Sequence, residues 1–139
     1  MRPRFSVRRT PARVLLAGVL LAVAVVAAAA GSPATASRAE IERWFGTLRA
    51  QSSLDVTAPQ RWVYSFVAAD GRALEALSVA LVRDGYQIVM LEGRSTPTLR
   101  MSKTELHSPL ALARRNQVLQ QIARKYNARY LGVDVIRSD

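Results

Sequence analysis

Apolar positions change period several times along this chain, and each period predicts a different element. Residues 14–30 are an unbroken run of valine, leucine, alanine and one glycine. Residues 37–50 place Ile41, Trp44, Phe45 and Leu48 at helical spacing, with Arg38, Glu42, Arg43 and Arg49 off that stripe. Residues 51–60 are polar and contain Pro59, which reads as a linker ahead of the folded domain. Residues 61–68 (RWVYSFVA) are aromatic and β-branched, so a strand is expected. Asp70 is suited to cap the helix predicted for 73–83, where Leu74, Leu77, Val79, Leu81 and Val82 recur at spacings of three and four. Asp84-Gly85 ends it, with Gly85 as a left-handed cap.

Residues 86–92 (YQIVMLE) predict a second strand, and 98–106 (TLRMSKTEL) a third that alternates Leu99, Met101 and Lys103 against Arg100, Ser102 and Thr104. Ser108-Pro109 is a cap followed by proline at the first helical position. That helix carries a stripe of Leu110, Leu112/Ala113, Val118/Leu119, Ile122 and Tyr126, and Asn127 is placed to end it. Residues 130–137 (YLGVDVIR) form the last predicted strand. The order strand-helix-strand-strand-helix-strand implies two split units sharing one sheet. The fold class expected is therefore α+β: a ferredoxin-like βαββαβ sandwich, an antiparallel four-stranded sheet with two helices on one face, after a short N-terminal helix.

The apolar run changes the reading of the charge. Five arginines and no acid precede it, and Gly31-Ser32-Pro33-Ala34-Thr35-Ala36 follows. A basic region, an apolar region and a small-residue exit make an export signal, with Ala34-x-Ala36 as the expected cleavage site. Its alternative is an uncleaved inner-membrane anchor facing the periplasm, since 17 residues are at the short edge of a bilayer span and arginines hold their end in the cytoplasm. The expected organisation is 1–36 leader, 37–60 short helix and linker, 61–139 folded domain, located in the periplasm or secreted. The net charge of +10 falls to +5 once the leader is set aside, so half of it says nothing about nucleic acid. The absence of cysteine removes disulfides and a lipid-bearing cysteine.

Catalytic chemistry is sparse. A hydrolase needs an activated nucleophile or a metal with three or four ligands. His107 is the single histidine, and Glu105 would share its side of a strand. That pair is the one acid–base candidate, and the plainer reading is a solvated histidine beside the Ser108 cap. No catalytic, cofactor or metal residues are assigned. RNA recognition on such a sheet would need exposed aromatics flanked by arginines such as Arg61, Arg94 and Arg100. Trp62 and Tyr64 would supply the rings if they face outward; a half-buried sheet more simply points them into its core. Arg114, Arg115, Arg124, Lys125 and Arg129 form a basic side near the second domain helix.

Several segments together resemble one family. Trp62-x-Tyr64-x-Phe66, Asp70, the leucines after it, Gly85-Tyr86-Gln87-Ile88-Val89, Ala123-x-x-Tyr126 and Tyr130-x-Gly132 are similar to the regulators of ribonuclease activity B, the RraB family. The resemblance covers about residues 61–136 and implies a ferredoxin-like fold that binds and inhibits another protein. The family's namesake acts on ribonuclease E in the cytoplasm. Here the leader, the basic domain and Leu131 and Val133 around Gly132, where the family carries an acid and an aromatic, depart from that pattern. The expectation is a non-enzymatic protein-binding regulator with a different, unidentified protein partner. A sheet face with the arginine-bearing helix would contact it through Trp62, Tyr64, Arg100, Ser102, Thr104, Arg114 and Arg115. RNA binding is the alternative, an enzyme built on His107 and Glu105 the third, and membrane contact is confined to the leader.

Overall fold

The computed structural model describes residues 31–51, 54–93 and 95–136. The apolar run at 14–30, Arg94 and Arg137 therefore lie outside the described residues. The elements are β1 (Ser32–Pro33), α1 (Arg38–Gln51), β2 (Gln60–Ala68), α2 (Gly71–Arg83), β3 (Gln87–Glu92), β4 (Thr98–Glu105), α3 (Pro109–Lys125) and β5 (Ala128–Ile136). The fold is α+β, with five strands in the order β1-β5-β2-β4-β3 and every neighbouring pair antiparallel.

Local chemistry sets most boundaries. The Asp70 side chain accepts from Arg72 N at the start of α2. Ser108 accepts from Ala111 N at the start of α3, and Pro109 follows where its missing N–H costs nothing. Gly85 (φ +87°) and Asn127 (φ +56°) take left-handed conformations that end the two helices.

Strand β2 organises the core. Trp62, Tyr64 and Phe66 point to one face, together with Met101 and Leu99 of β4 and Tyr130, Val133 and Val135 of β5, because residues opposite one another in a ladder share a face. Leu74, Leu77 and Leu81 of α2 and Leu112, Leu119 and Ala123 of α3 complete one buried cluster with them. The two domain helices thus lie on the aromatic face, as expected.

Two expectations are corrected. The sheet has five strands rather than four, because Ser32 and Pro33 pair with Val133 and Gly132 along the free edge of β5. Sequence reading had placed both residues in the leader, and a two-residue strand has no periodicity to reveal it. The folded body also begins well before Arg61. Ile41, Phe45 and Leu48 of α1 are buried, and Phe45 stacks on Trp62 with ring centroids 5.8 Å apart. The α1 stripe is therefore core, and α1 also packs on α3.

Candidate functional site

The predicted contact residues occupy two different surfaces. Arg100, Ser102 and Thr104 lie on the face away from the helices, opposite Ser65, Val63 and Arg61 of β2. Arg114 and Arg115 lie on α3, which covers the aromatic face. The predicted set is thus divided between the two layers of the fold.

Burial removes further members of the set. Trp62 and Tyr64 are completely buried on the helix side, contrary to their inclusion among contact residues. The physical reason is size: their rings bury more apolar area than the alternating set Val63, Ser65 and Val67, so the packed face takes them. Ser102 is 1% exposed, and its hydroxyl accepts from Arg61 Nε at 3.2 Å. Arg115 is half-buried and engaged in the core. Arg100 (half-buried), Thr104 and Arg114 remain to offer surface. Arg114 lines a cavity of about 590 Å³ between α3 and the start of α1, with Ser37, Arg38, Leu110 and Gln117. On the helix-free face, Arg100 is joined by Arg61, Thr98 and, from β5, Arg129 and Asp134.

On the helix side, a group of polar side chains is concentrated around Glu105. Tyr64 Oη, His107 Nε2 and Glu105 Oε2 form a triangle with sides of 2.9, 3.1 and 3.2 Å. The other carboxylate oxygen, Glu105 Oε1, meets Arg115 at 2.7 Å and Lys103 Nζ at 3.3 Å. Arg115 also donates to Tyr86 Oη at 2.6 Å, and Trp62 Nε1 donates to the Glu105 carbonyl at 2.8 Å. Lys103 Nζ sits 4.9 Å over the Tyr86 ring and donates to the Asp84 carbonyl, which ties the end of α2 to β4.

His107 is only 5% exposed, not the solvated loop-end residue expected. Desolvation holds its imidazole below the usual histidine pKa, with Glu105 pulling the other way. The imidazole is therefore neutral at pH 7. Burial likewise raises the Tyr64 phenol far above its ordinary value, with the Glu105 charge second, so it stays protonated. One carboxylate thus satisfies two cations, a phenol and an imidazole. Such a cluster joins β2, β4 and α3 and fixes their relative position. His107 does line a shallow, mainly apolar cavity of about 460 Å³ with Phe45, Arg49, Val56 and Leu106. Glu105 does not line it, so the acid–base pair does not face that space together. Among the described residues, no group of three or more histidine or acidic side chains could hold a metal ion.

Sequence reading paired Glu105 with His107 but missed Tyr64, Tyr86 and Arg115 as their partners. Tyr64 and His107 are 43 positions apart, a separation at which no spacing rule operates.

A family model described as Regulator of ribonuclease activity B matches residues 38–135, from the first residue of α1 to the last but one of β5. The chain belongs to the RraB family. The match spans more than the resemblance did, since it takes in α1, whose burial makes it part of the same core. Strand β1 lies outside the matched residues. No curated protein matches the chain. Membership in the RraB family brings the theme of ribonuclease regulation and makes a protein partner the natural ligand class.

Proposed function

We propose that this chain is an exported, non-catalytic RraB-family regulator that acts by binding a partner protein, and that it inhibits that partner when the partner is an enzyme. The observation that carries the reading is the family match running unbroken through α1 to β5. Strands β5-β2-β4-β3 and helices α2 and α3 serve as a ferredoxin-like platform, with α1 and β1 as additions. The binding surface is the helix-free sheet face around Arg61, Arg100 and Thr104. The polar groups there are held by a rigid ladder, so little side-chain and backbone freedom is lost on contact. No cofactor or metal enters the mechanism. The basic leader and apolar run carry the domain to the periplasm or beyond, or anchor it to the inner membrane facing outward, away from ribonuclease E.

RNA binding finds no support in the rings it requires, because Trp62, Tyr64 and Phe66 are fully buried. The enzyme reading has its pair in contact, but that carboxylate is saturated within the core.

The test is crosslinking of the tagged full-length chain in intact cells, with wild type compared with Arg100→Glu. Charge reversal on the contact face should reduce the specific crosslinked partner by about tenfold or more, since like-charge contacts cost several kcal/mol. Equal capture by both chains would move the interface elsewhere. A cytosolic ribonuclease crosslinked to a cytosolic chain would end the proposal of export.

A further inference from the structure

The leader reading and the fold meet at residues 31–37. A leader peptidase needs small side chains ahead of the cut and acts before the exported domain folds, so whatever it removes cannot contribute to the fold. A cut after Ala36 would remove a segment that the fold uses. Ser32 and Pro33 are paired to β5. Ala34 is 7% exposed, its N–H donates to the Leu131 carbonyl at 2.9 Å, and its own carbonyl accepts from Gln120 of α3. Ala36 N donates to the Pro33 carbonyl at 3.1 Å, closing a turn. Ser37 then caps α1 reciprocally with Glu40: Ser37 N donates to the Glu40 carboxylate at 2.6 Å, and Glu40 N to Ser37 Oγ at 3.2 Å.

Two glycines show how closely this strand is fitted. A Cβ on Gly31 would lie 2.2 Å from the Val133 carbonyl oxygen. A Cβ on Gly132 would lie 2.3 Å from the Ser32 carbonyl oxygen, and Gly132 also has φ +147°, which disfavours other residues. Both sides of the β1–β5 contact therefore carry the residue that close backbone approach requires. A cut after Ala36 would discard β1, the Ala34 contact with the core and one of these glycines.

A second small-x-small site stands just upstream. Ala28-Ala29-Ala30 precedes Gly31, and a cut there leaves 14 apolar residues, 14–27, as the hydrophobic core of the leader. That length lies within the roughly 7–15 residues of such regions. We propose that the leader is removed between Ala30 and Gly31, so that the mature chain begins with β1. Hydrolysis places the oxygen of water on the Ala30 carbonyl carbon and frees the Gly31 amine, the catalyst being the membrane peptidase of the export route. The new ammonium group would adjoin Asp134, whose Cβ is 3.1 Å from the Cβ position of Gly31. The inference rests on the export reading but differs from it in what would refute it.

Expression of the full chain with a C-terminal tag in an export-competent bacterial host, followed by intact mass measurement, reads the new N-terminus directly. The expected product starts at Gly31. Ala30→Arg puts a bulky charge in the groove and should leave the chain uncut, whereas Ala36→Arg should leave the cut at Gly31 in place. A wild-type product starting at Ser37, or processing blocked by Ala36→Arg and not by Ala30→Arg, would overturn the inference and leave export standing. Full-length chain in the membrane fraction would overturn the cut and support an anchor. Full-length chain dissolved in the cytosol would overturn both export and the cut.

Discussion

The two faces of strand β2 meet different environments. Toward the helices it presents Trp62, Tyr64 and Phe66, all completely buried. Away from them it presents Arg61, Ser65 and Val67, all half-buried, with only Val63 fully covered. The reactive-looking side chains of this protein, His107, Glu105 and Arg115, lie on the packed side. Arg61, Thr98, Arg100 and Thr104 lie on the accessible side. Chemical variety therefore marks the structural face here, and the face available to a partner is chemically plain. That is the arrangement expected of a regulator that works by contact, because recognition needs shape and charge rather than a nucleophile.

Substitutions can break the contrast from its strongest side downward. Trp62→Ala should be the most damaging, at about 3–5 kcal/mol of folding stability by chemical denaturation, as for other large aromatics lost from a core. A loss below about 1 kcal/mol would mean that the Trp62–Phe45 stack is not a core contact. Glu105→Gln keeps the volume but removes the charge shared by Arg115 and Lys103. Those cations are about a quarter exposed, so solvent replaces part of the loss and about 1–2 kcal/mol is expected. Its near-UV circular dichroism should also change, since Tyr64 and Tyr86 report on the same cluster.

The His107 effect is smaller and depends on pH. Because burial depresses its pKa in the folded state, the unfolded chain takes up a proton first as pH falls below about 6.5. Stability from neutral His107 is thus present above pH 6.5 and is lost on acidification, at no more than about 1.4 kcal/mol per pH unit. Urea midpoints at pH 7.5 and 5.5 should fall further apart for wild type than for His107→Gln. Identical pH dependence would show that the imidazole is freely protonated in the fold. The smallest effect on stability belongs to Arg100→Glu on the accessible face, within about 0.5 kcal/mol, while its effect on partner capture is large. A variant that lost both stability and capture would merge the two faces into one structural unit.

Much of this molecule could be read in one dimension. Alternation at Trp62-x-Tyr64-x-Phe66, the three-and-four spacing of Leu74, Leu77 and Leu81, and the Asp70 and Ser108 caps are all local. Every element except β1 lies within a few positions of its expected limits, and the RraB resemblance rested on the same residues. The α1 stripe was visible too, but its destination was not, since an amphipathic helix packs equally well on its own domain or on another surface. The candidate site was legible only in fragments. Arg100 and Thr104 could be placed on one face by alternation. That Ser102 and Arg115 were already engaged could not be seen.

Periods, caps and turns are local properties of the chain, because they depend on residues three or four positions apart and on the conformational limits of glycine, proline and side-chain oxygen. Long-range packing set the rest. It drew Ser32 and Pro33 onto β5, placed Glu105 among four partners, and chose which face of the sheet would be closed. Each of those outcomes depends on groups from distant segments meeting where water is excluded, and no periodicity along the chain encodes that encounter.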